Sequence, residues 1–415
     1  MKDKEVEEEI YRCLNCVNKP CMKACPLEND VPKIIELLKL SKEKEAYELL
    51  SETNIMPSIC GRICPYMKQC QSNCTRKYKE TPIETGEIEA SLGDLAYKNG
   101  WMFENISDEL SGKKVAVVGS GPAGLTCAVF LKRYGAEVTI YEKREKLGGL
   151  LRYGIPDFRL SKGIIDELVD EISKLGINVV TNYSLEAGFE KLKNNYDAIF
   201  LSIGANAPRN VEIKGKDLKG VYDGNTLLEN GIDFDCENKK IYILGGGNVA
   251  IDVSRTVKRL KAKEVTIIYR RSEEEMPAEK KEILVAQSEG IKFIFNTNII
   301  RILGSDCVER IECIETSEND HIVENVNGSE YMLDADMVIM AVGSQADTDL
   351  IKRLSLEVSE KGFIKVNENN QTSSEKIFAG GNLIGVKATV AWAARSGRDT
   401  AEKIKNYLNL KKILE

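Results

Sequence analysis

Two glycine-rich turns constrain this chain more than any other feature it carries. Gly119-Ser120-Gly121-Pro122-Ala123-Gly124 and Gly245-Gly246-Gly247-Asn248-Val249-Ala250 each lie between a short apolar run and an amphipathic stretch. The first follows residues 115–118 and leads through an amphipathic stretch to a second apolar run at 138–141. The other follows 241–244 and leads in the same way to 265–269. Each reads as strand, glycine turn, helix, strand: a βαβ unit with parallel strands. Each is followed later by an apolar strand that ends in glycine, at 198–204 and at 337–343, the latter closing on Gly343. Two copies of one plan predict an α/β chain with two Rossmann-type domains.

Ahead of them, residues 1–110 have a different texture, helical and loop-rich. Ile34, Ile35, Leu37, Leu38 and Leu40 follow Pro32, then Tyr47, Leu49 and Leu50, a spacing that suits an amphipathic helix with proline in its first turn. The polar stretch 107–114 with Gly112 reads as a linker. At 415 residues, with 42% hydrophobic and 30% charged content, the chain has the size and make-up of a soluble protein of two or three domains. A formal net charge of -7 argues against a nucleic-acid surface. No apolar run of about 18 residues offers a membrane span. The acidic start is not a secretory signal, so the expected compartment is the cytoplasm. The single histidine, His321, reads as a solvated loop residue, which speaks against His-ligated zinc and Ser–His or Cys–His catalysis.

The turns carry specific chemistry. In the first, Gly119 permits a tight turn, Gly121 lets the backbone approach a pyrophosphate, and Gly124 allows close helix–strand packing. The helix N-terminus that follows supplies amide donors. Glu142 closes the second strand about 20 residues on, where a carboxylate accepts bonds from ribose hydroxyls. The second turn is the G-x-G-x-x-A variant, and its second strand ends in Tyr269-Arg270-Arg271-Ser272. Two guanidinium groups stand where the ribose-binding acid would be, which predicts preference for the 2′-phosphate of NADP over NAD.

Eight of the twelve cysteines fall between Cys13 and Cys74. Cys13, Cys16, Cys21 and Cys25-Pro26 are spaced C-x2-C-x4-C-x3-C-P; Cys60, Cys64-Pro65, Cys70 and Cys74 are spaced C-x3-C-P-x4-C-x3-C. Without an export signal they are not a disulfide framework. Four thiolates suit structural zinc as well as an iron–sulfur cluster. The cysteine–proline pairs, the tight runs and the neighbouring nucleotide domains favour clusters, since zinc would be redox-inert there. Cys307 and Cys313 are too far apart for the C-x-x-C of a thioredoxin-reductase-like enzyme and read as packing thiols.

Taken together, these residues resemble the small subunit of NADPH-dependent glutamate synthase over nearly the whole chain. The same stretch is similar to the amino-terminal half of dihydropyrimidine dehydrogenase and to the large subunit of NADH-dependent ferredoxin:NADP oxidoreductase. The resemblance is carried by Arg12-Cys13-Leu14-Asn15-Cys16, Cys25-Pro26-Leu27, Gly61-Arg62-Ile63-Cys64-Pro65, and the first glycine turn with Leu125. Residues 148–156, Tyr269-Arg270-Arg271-Ser272 with Met276-Pro277-Ala278, and Phe378-Ala379-Gly380-Gly381 add to it.

The resemblance implies two-dinucleotide-binding flavoprotein architecture behind a helical domain with two [4Fe–4S] clusters at 1–110. FAD would be bound by 111–237 and 344–415, with an NADP(H) domain inserted at 238–343. One cluster would take Cys13, Cys16, Cys21 and Cys74; the other Cys25, Cys64, Cys70 and Glu89, at a position where relatives carry glutamine or glutamate. Spacing alone would choose Cys60 instead. FAD would be held by Pro122, Ala123, Gly124, Leu125, Thr126, Glu142, Lys143, Gly149, Leu150, Arg159 and Leu185, and closed over by 381–388 up to Ala388 and Thr389. The usual Gly-Asp of that segment is here Gly381-Asn382, which still bonds a ribitol hydroxyl but brings no charge. NADP(H) would lie on Gly245, Gly247, Asn248, Val249, Ala250, Arg270, Arg271 and Gly343. Hydride would pass from NADPH to FAD and single electrons on through the clusters, with no side-chain acid, base or nucleophile required. The expected acceptor is a separate subunit or a ferredoxin-like carrier. A redox sensor, in which clusters report rather than conduct, is the alternative of another class.

Overall fold

The structure, a computed structural model, describes residues 4–101, 107–209, 211–320 and 322–414; His321 lies outside them. The chain forms two compact units: Met1–Arg152 with Asp157–Ala205 and Ala346–Glu415, and Tyr153–Pro156 with Asn206–Gln345.

The first unit opens with short helices. Asp30 caps the helix Val31–Lys39 by accepting the Lys33 N–H at 3.2 Å, and proline stands in its first turn. The apolar run 34–50 does not make one helix, because Ser41 takes a left-handed φ of 54° and the chain restarts at Glu43–Ser51. Leu40, at the break, is exposed, whereas Ile34, Ile35, Leu38, Tyr47 and Leu50 enter a common core with Val6, Ile10, Ile88 and Leu92. Helices Pro57–Ile63 and Thr85–Lys98 complete this region. They touch through backbone: a Cβ on Gly61 would lie 2.4 Å from the Ala90 nitrogen, and one on Gly86 2.8 Å from the Gly61 oxygen.

The same unit holds a five-stranded parallel sheet. Its order is Ile377–Ala379, Ala198–Leu201, Lys114–Val118, Glu137–Tyr141, Asn178–Val180. Every residue of the strand Ala198–Leu201 is buried, as expected of a parallel strand covered on both faces. The helix Pro122–Arg133 follows the first glycine turn, and the helix Val390–Leu414 lies against it. Three arginines tie the amino-terminal helical region to these elements. Arg133 donates to the Ser51 carbonyl at 2.7 Å, Arg395 to that of Pro26 at 3.0 Å, and Arg398 to that of Leu27 at 2.8 Å.

The second unit repeats the parallel sheet in the order Val221–Asp223, Met337–Met340, Lys240–Leu244, Glu264–Ile268, Lys292–Ile294. An antiparallel sheet is added by Thr297–Leu303, Arg310–Asn319, Ile322–Asn325 and Tyr331–Asp334. The boundary expected at 237/238 falls inside this unit, because Val221–Asp223 pairs with Met337–Met340 as an edge strand. Cys313 packs in its core as a small apolar group, but Cys307 is exposed. None of the described helices is long and apolar enough to cross a membrane.

Candidate functional site

The first glycine turn leaves the strand Lys114–Val118 with Gly119 at φ 94° and enters the helix at Pro122, with Gly121 as N-cap. A Cβ on Gly121 would meet open space, so the backbone there is accessible to a phosphate. Gly149, at φ 51°, stands against it: a Cβ would fall 2.8 Å from the Gly121 Cα. Gly381 comes in from the other end of the chain, its would-be Cβ 3.0 Å from that of Ala123. Glu142 is buried, and one carboxylate oxygen accepts from the Ser120 N–H at 3.0 Å and from its hydroxyl at 2.5 Å. The other accepts the Arg144 N–H at 2.9 Å. Glu142 thus braces the turn through both of its carboxylate oxygens.

Two side chains here are poised for a polar ligand. Thr126 Oγ1 and Asn382 Oδ1 are buried without a hydrogen-bond partner. A buried orphan polar atom is costly, and both orphans fall on residues that the resemblance expects at FAD, so the surroundings fit that group. Leu125 and Leu185 are buried, the latter opening the helix Leu185–Asn195. Leu150 and Arg159 are half-buried; Lys143 and Ala388 are exposed. Thr389 caps the helix Val390–Leu414, its hydroxyl accepting the Trp392 N–H at 3.3 Å.

In the second unit Gly245 and Gly247 repeat this geometry. A Cβ on Gly247 would again meet open space, while one on Gly245 would lie 2.2 Å from the Ala341 carbonyl oxygen. Ala250 is buried beneath the turn, Val249 half-buried, and Asn248 exposed with its amide oxygen accepting the Glu279 N–H at 3.1 Å. Gly343, at φ 99°, is exposed, with Arg209 Nε 3.8 Å from its would-be Cβ. The arginines divide their roles. Arg270 is exposed, whereas Arg271 is half-buried and forms an ion pair at 3.5 Å with Glu318 from the antiparallel sheet.

The cysteines sort into two groups. Cys13, Cys16, Cys21 and Cys74 line one cavity of about 390 Å³, part of it open to solvent, with Leu14, Ile35 and Thr75. Desolvation pushes the Cys21 thiol up to about 11, with Cys13 and Cys74 adding to the rise. Cys25, Cys60, Cys64 and Cys70 form the other group, around Glu89. Burial holds all four thiols above their ordinary value, Cys70 at about 12, and Glu89 adds to the rise in each. Desolvation also raises the Glu89 carboxyl to about 7, against the lowering effect of hydrogen bonds from Asn54 and Asn29. Such a set is stabilised by a cationic core that takes up the thiolate charge. Among the described residues no three of Cys, His, Asp or Glu converge tightly enough to hold a single ion. Four thiols around one cavity fit the thiolate ligation of an iron–sulfur cluster.

Residues 113–397 match the family model of pyridine nucleotide-disulphide oxidoreductases, and residues 1–101 the one described as dihydropyrimidine dehydrogenase domain II, 4Fe-4S cluster. The chain is 34% identical over 434 residues to the glutamate synthase [NADPH] small chain of Halomonas elongata, an alignment covering 99% of this chain and 92% of that one. The chain belongs to the glutamate synthase small-chain family. It is also 31% identical to the NAD-dependent dihydropyrimidine dehydrogenase subunit PreT of Escherichia coli, covering 97% of this chain and 94% of that one. Among solved structures, Mycobacterium tuberculosis FprA in complex with NADPH shares the fold at 19% identity with a TM-score of 0.64, covering 72% of this chain and 85% of that one. As a member of the family the chain is an oxidoreductase with FAD, NADP(H) and [4Fe–4S] clusters as cofactors.

Several residues at these family sites are invisible to motif reading. Ser120 is simply the variable position of a glycine turn, yet it is the partner of Glu142. Glu318 lies 47 positions beyond Arg271 and carries no motif. Asn29 and Asn54, which surround Glu89, are polar and buried at 3% and 1% exposure, in a region where cysteines hold the reader's eye. The one available signal is the Thr53-Asn54 pair standing just before an apolar, proline-started helix.

Proposed function

We propose that this chain is the electron-input subunit of a glutamate-synthase-like complex, taking hydride from NADPH and delivering electrons to a separate acceptor protein. The observation that carries this reading is the coexistence in one unit of the cysteine groups and the first glycine turn, tied by Arg133, Arg395 and Arg398. FAD, once bound, accepts two electrons together and releases them singly, which suits a position between a nicotinamide and one-electron clusters.

The chain's own residues bind and orient. Gly121, Gly149 and the N-terminus of the helix Pro122–Arg133 admit a pyrophosphate, while Thr126 and Asn382 offer uncommitted buried oxygens to flavin. Lys143, Leu150, Arg159, Leu185, Ala388 and Thr389 belong to the same proposed site. Gly245, Gly247, Asn248 and Val249 admit the nicotinamide cofactor's pyrophosphate, with Arg270 and Arg271 on its 2′-phosphate. Cys13, Cys16, Cys21 and Cys74 hold one cluster; Cys25, Cys64, Cys70 and Glu89 the other. Free thiols in this number call for a reducing compartment, and we assign the protein to the cytoplasm.

The test is anaerobic purification followed by assay of iron, acid-labile sulfide and flavin, and of NADPH oxidation with a one-electron dye. Stoichiometric flavin, about eight irons per chain and dye reduction are expected for two [4Fe–4S] clusters. A colourless zinc protein would refute the reading. An affinity pulldown under the same conditions identifies the acceptor, and recovery of a pyrimidine-reducing or ferredoxin-type partner would replace the glutamate synthase assignment.

A further inference from the structure

The surroundings of Glu89 contain a directional pattern that the ligand assignment does not require. Glu89 Oε1 accepts two amide N–H groups, from Asn54 Nδ2 and, at 3.1 Å, from Asn29 Nδ2. The Asn54 amide is fixed in orientation, and that of Asn29 is set by the bond Thr53 makes. Asn54 Oδ1 accepts the Met56 backbone N–H at 2.9 Å, and a backbone N–H can only donate. Turning the Asn54 amide round would set N–H against N–H at a side chain only 1% exposed. Asn29 Oδ1 accepts the Thr53 hydroxyl at 2.8 Å, and that hydroxyl has one other acceptor, the Leu50 carbonyl at 3.2 Å. Asn54 is therefore locked as a donor by the backbone, and Asn29 follows it as long as Thr53 keeps its present bond. Both donors converge on one oxygen of Glu89, and no hydrogen bond from a described residue falls on the other, Oε2.

An amide at position 89 would fare differently from a carboxylate. Its single oxygen would be drawn to the two asparagine donors, leaving an NH2 group as the atom offered elsewhere. An amide nitrogen has no lone pair available for iron, because it is conjugated with the carbonyl. We propose that Asn54, supported by Asn29, is a positioning residue that makes position 89 selective for a carboxylate, held by Oε1 so that Oε2 alone serves as ligand. This rests on the reading of Glu89 as a cluster ligand.

The pattern can be reversed by design. In the pair Glu89→Gln with Asn54→Asp, the new aspartate still accepts the Met56 N–H with one oxygen and accepts the glutamine NH2 with the other. Asn29 can then turn over, because Thr53 is able to redirect its hydroxyl to Leu50 and receive the asparagine NH2. The glutamine oxygen is thereby released, and the local negative charge is conserved.

The experiment uses the full chain, purified anaerobically, read by iron content, by EPR of the reduced clusters and by redox potentiometry. Glu89→Ala first tests the underlying reading: loss of about half the iron and of one EPR signal supports a ligand role, and wild-type spectra refute it whatever the asparagines do. Given that loss, Glu89→Gln is expected to lose the same signal, and the pair with Asn54→Asp to restore it. A Glu89→Gln protein with the wild-type signal and potential overturns the proposal. So does a double variant as impaired as Glu89→Gln while its FAD content and urea-unfolding midpoint match the wild type.

Discussion

At the scale of single residues, the two nucleotide sites differ in where their charge and unmet polarity lie. Arg270 is exposed and unencumbered by the ion pair that Arg271 makes with Glu318, so Arg270 is the stronger candidate for the 2′-phosphate. A charge-assisted bond is worth about 1.5–3 kcal/mol, so Arg270→Ala should raise KM for NADPH roughly 10- to 100-fold and leave NADH unchanged. Glu318→Gln, which removes the negative charge that Arg271 faces, should move NADPH affinity the other way. Steady-state kinetics with both nucleotides decide this; equal effects on the two would remove the phosphate role. The first site offers an opposite-sign prediction. Thr126 Oγ1 is a buried orphan, so Thr126→Val should stabilise the flavin-free chain by about 1 kcal/mol while weakening flavin retention. Urea unfolding without flavin and fluorescence titration with it read the two effects separately.

At the scale of elements, the second group of cysteines depends on two helices meeting without side chains between them. Gly61 on Pro57–Ile63 faces Ala90 on Thr85–Lys98, and this crossing brings Glu89 to Cys60 and Cys64. Gly61→Ala would place a methyl group 2.4 Å from a backbone nitrogen, so the helices must part. Overpacking of this kind costs about 1–3 kcal/mol, and the expected outcome is a lower unfolding midpoint with loss of one of two EPR signals. Retention of both signals would show that the crossing tolerates separation. The arginines of the long helix Val390–Leu414 act across elements in the same way. Arg398 donates to the Leu27 carbonyl beside Cys25-Pro26, linking that loop to a helix packed on Pro122–Arg133, which follows the first glycine turn.

At the scale of the first unit as a whole, the helical region is held to the parallel sheet partly by a face that contains an acid. Glu171, on the helix Lys162–Lys174, lines a small cavity with Tyr47, Met56, Pro57 and Tyr97. Desolvation raises its carboxyl from an ordinary value of 4.5 to about 7. The folded state therefore binds this proton more tightly than the unfolded chain does. Its stabilising effect is complete below pH 4.5 and is lost as pH rises through 7. Glu171→Gln should accordingly match the wild type near pH 4.5 and exceed it by about 1–3 kcal/mol above pH 7. Urea melts across that range check the slope, and a pH-independent difference would contradict the desolvation account.

Much of this molecule is legible along the chain. The two glycine turns, their flanking apolar runs and the cysteine runs are local patterns, set by steric rules and periodicities that act within a few residues, and the two parallel sheets follow from them. The apolar run 34–50 shows the limit even locally, since periodicity does not announce the left-handed break at Ser41. Beyond that, tertiary packing decides. Glu89 meets Asn54 across 35 positions and Asn29 across 60, and Val221–Asp223 joins a sheet whose neighbouring strand lies more than a hundred residues later. Contacts of this kind depend on how closely backbones approach once the cores have formed. The sequence by itself determined which cofactor chemistry the chain can house. Only the folded structure decided that Arg271 is paired with Glu318, and which oxygens of Glu89 and Asn382 are committed to protein partners and which are left uncommitted.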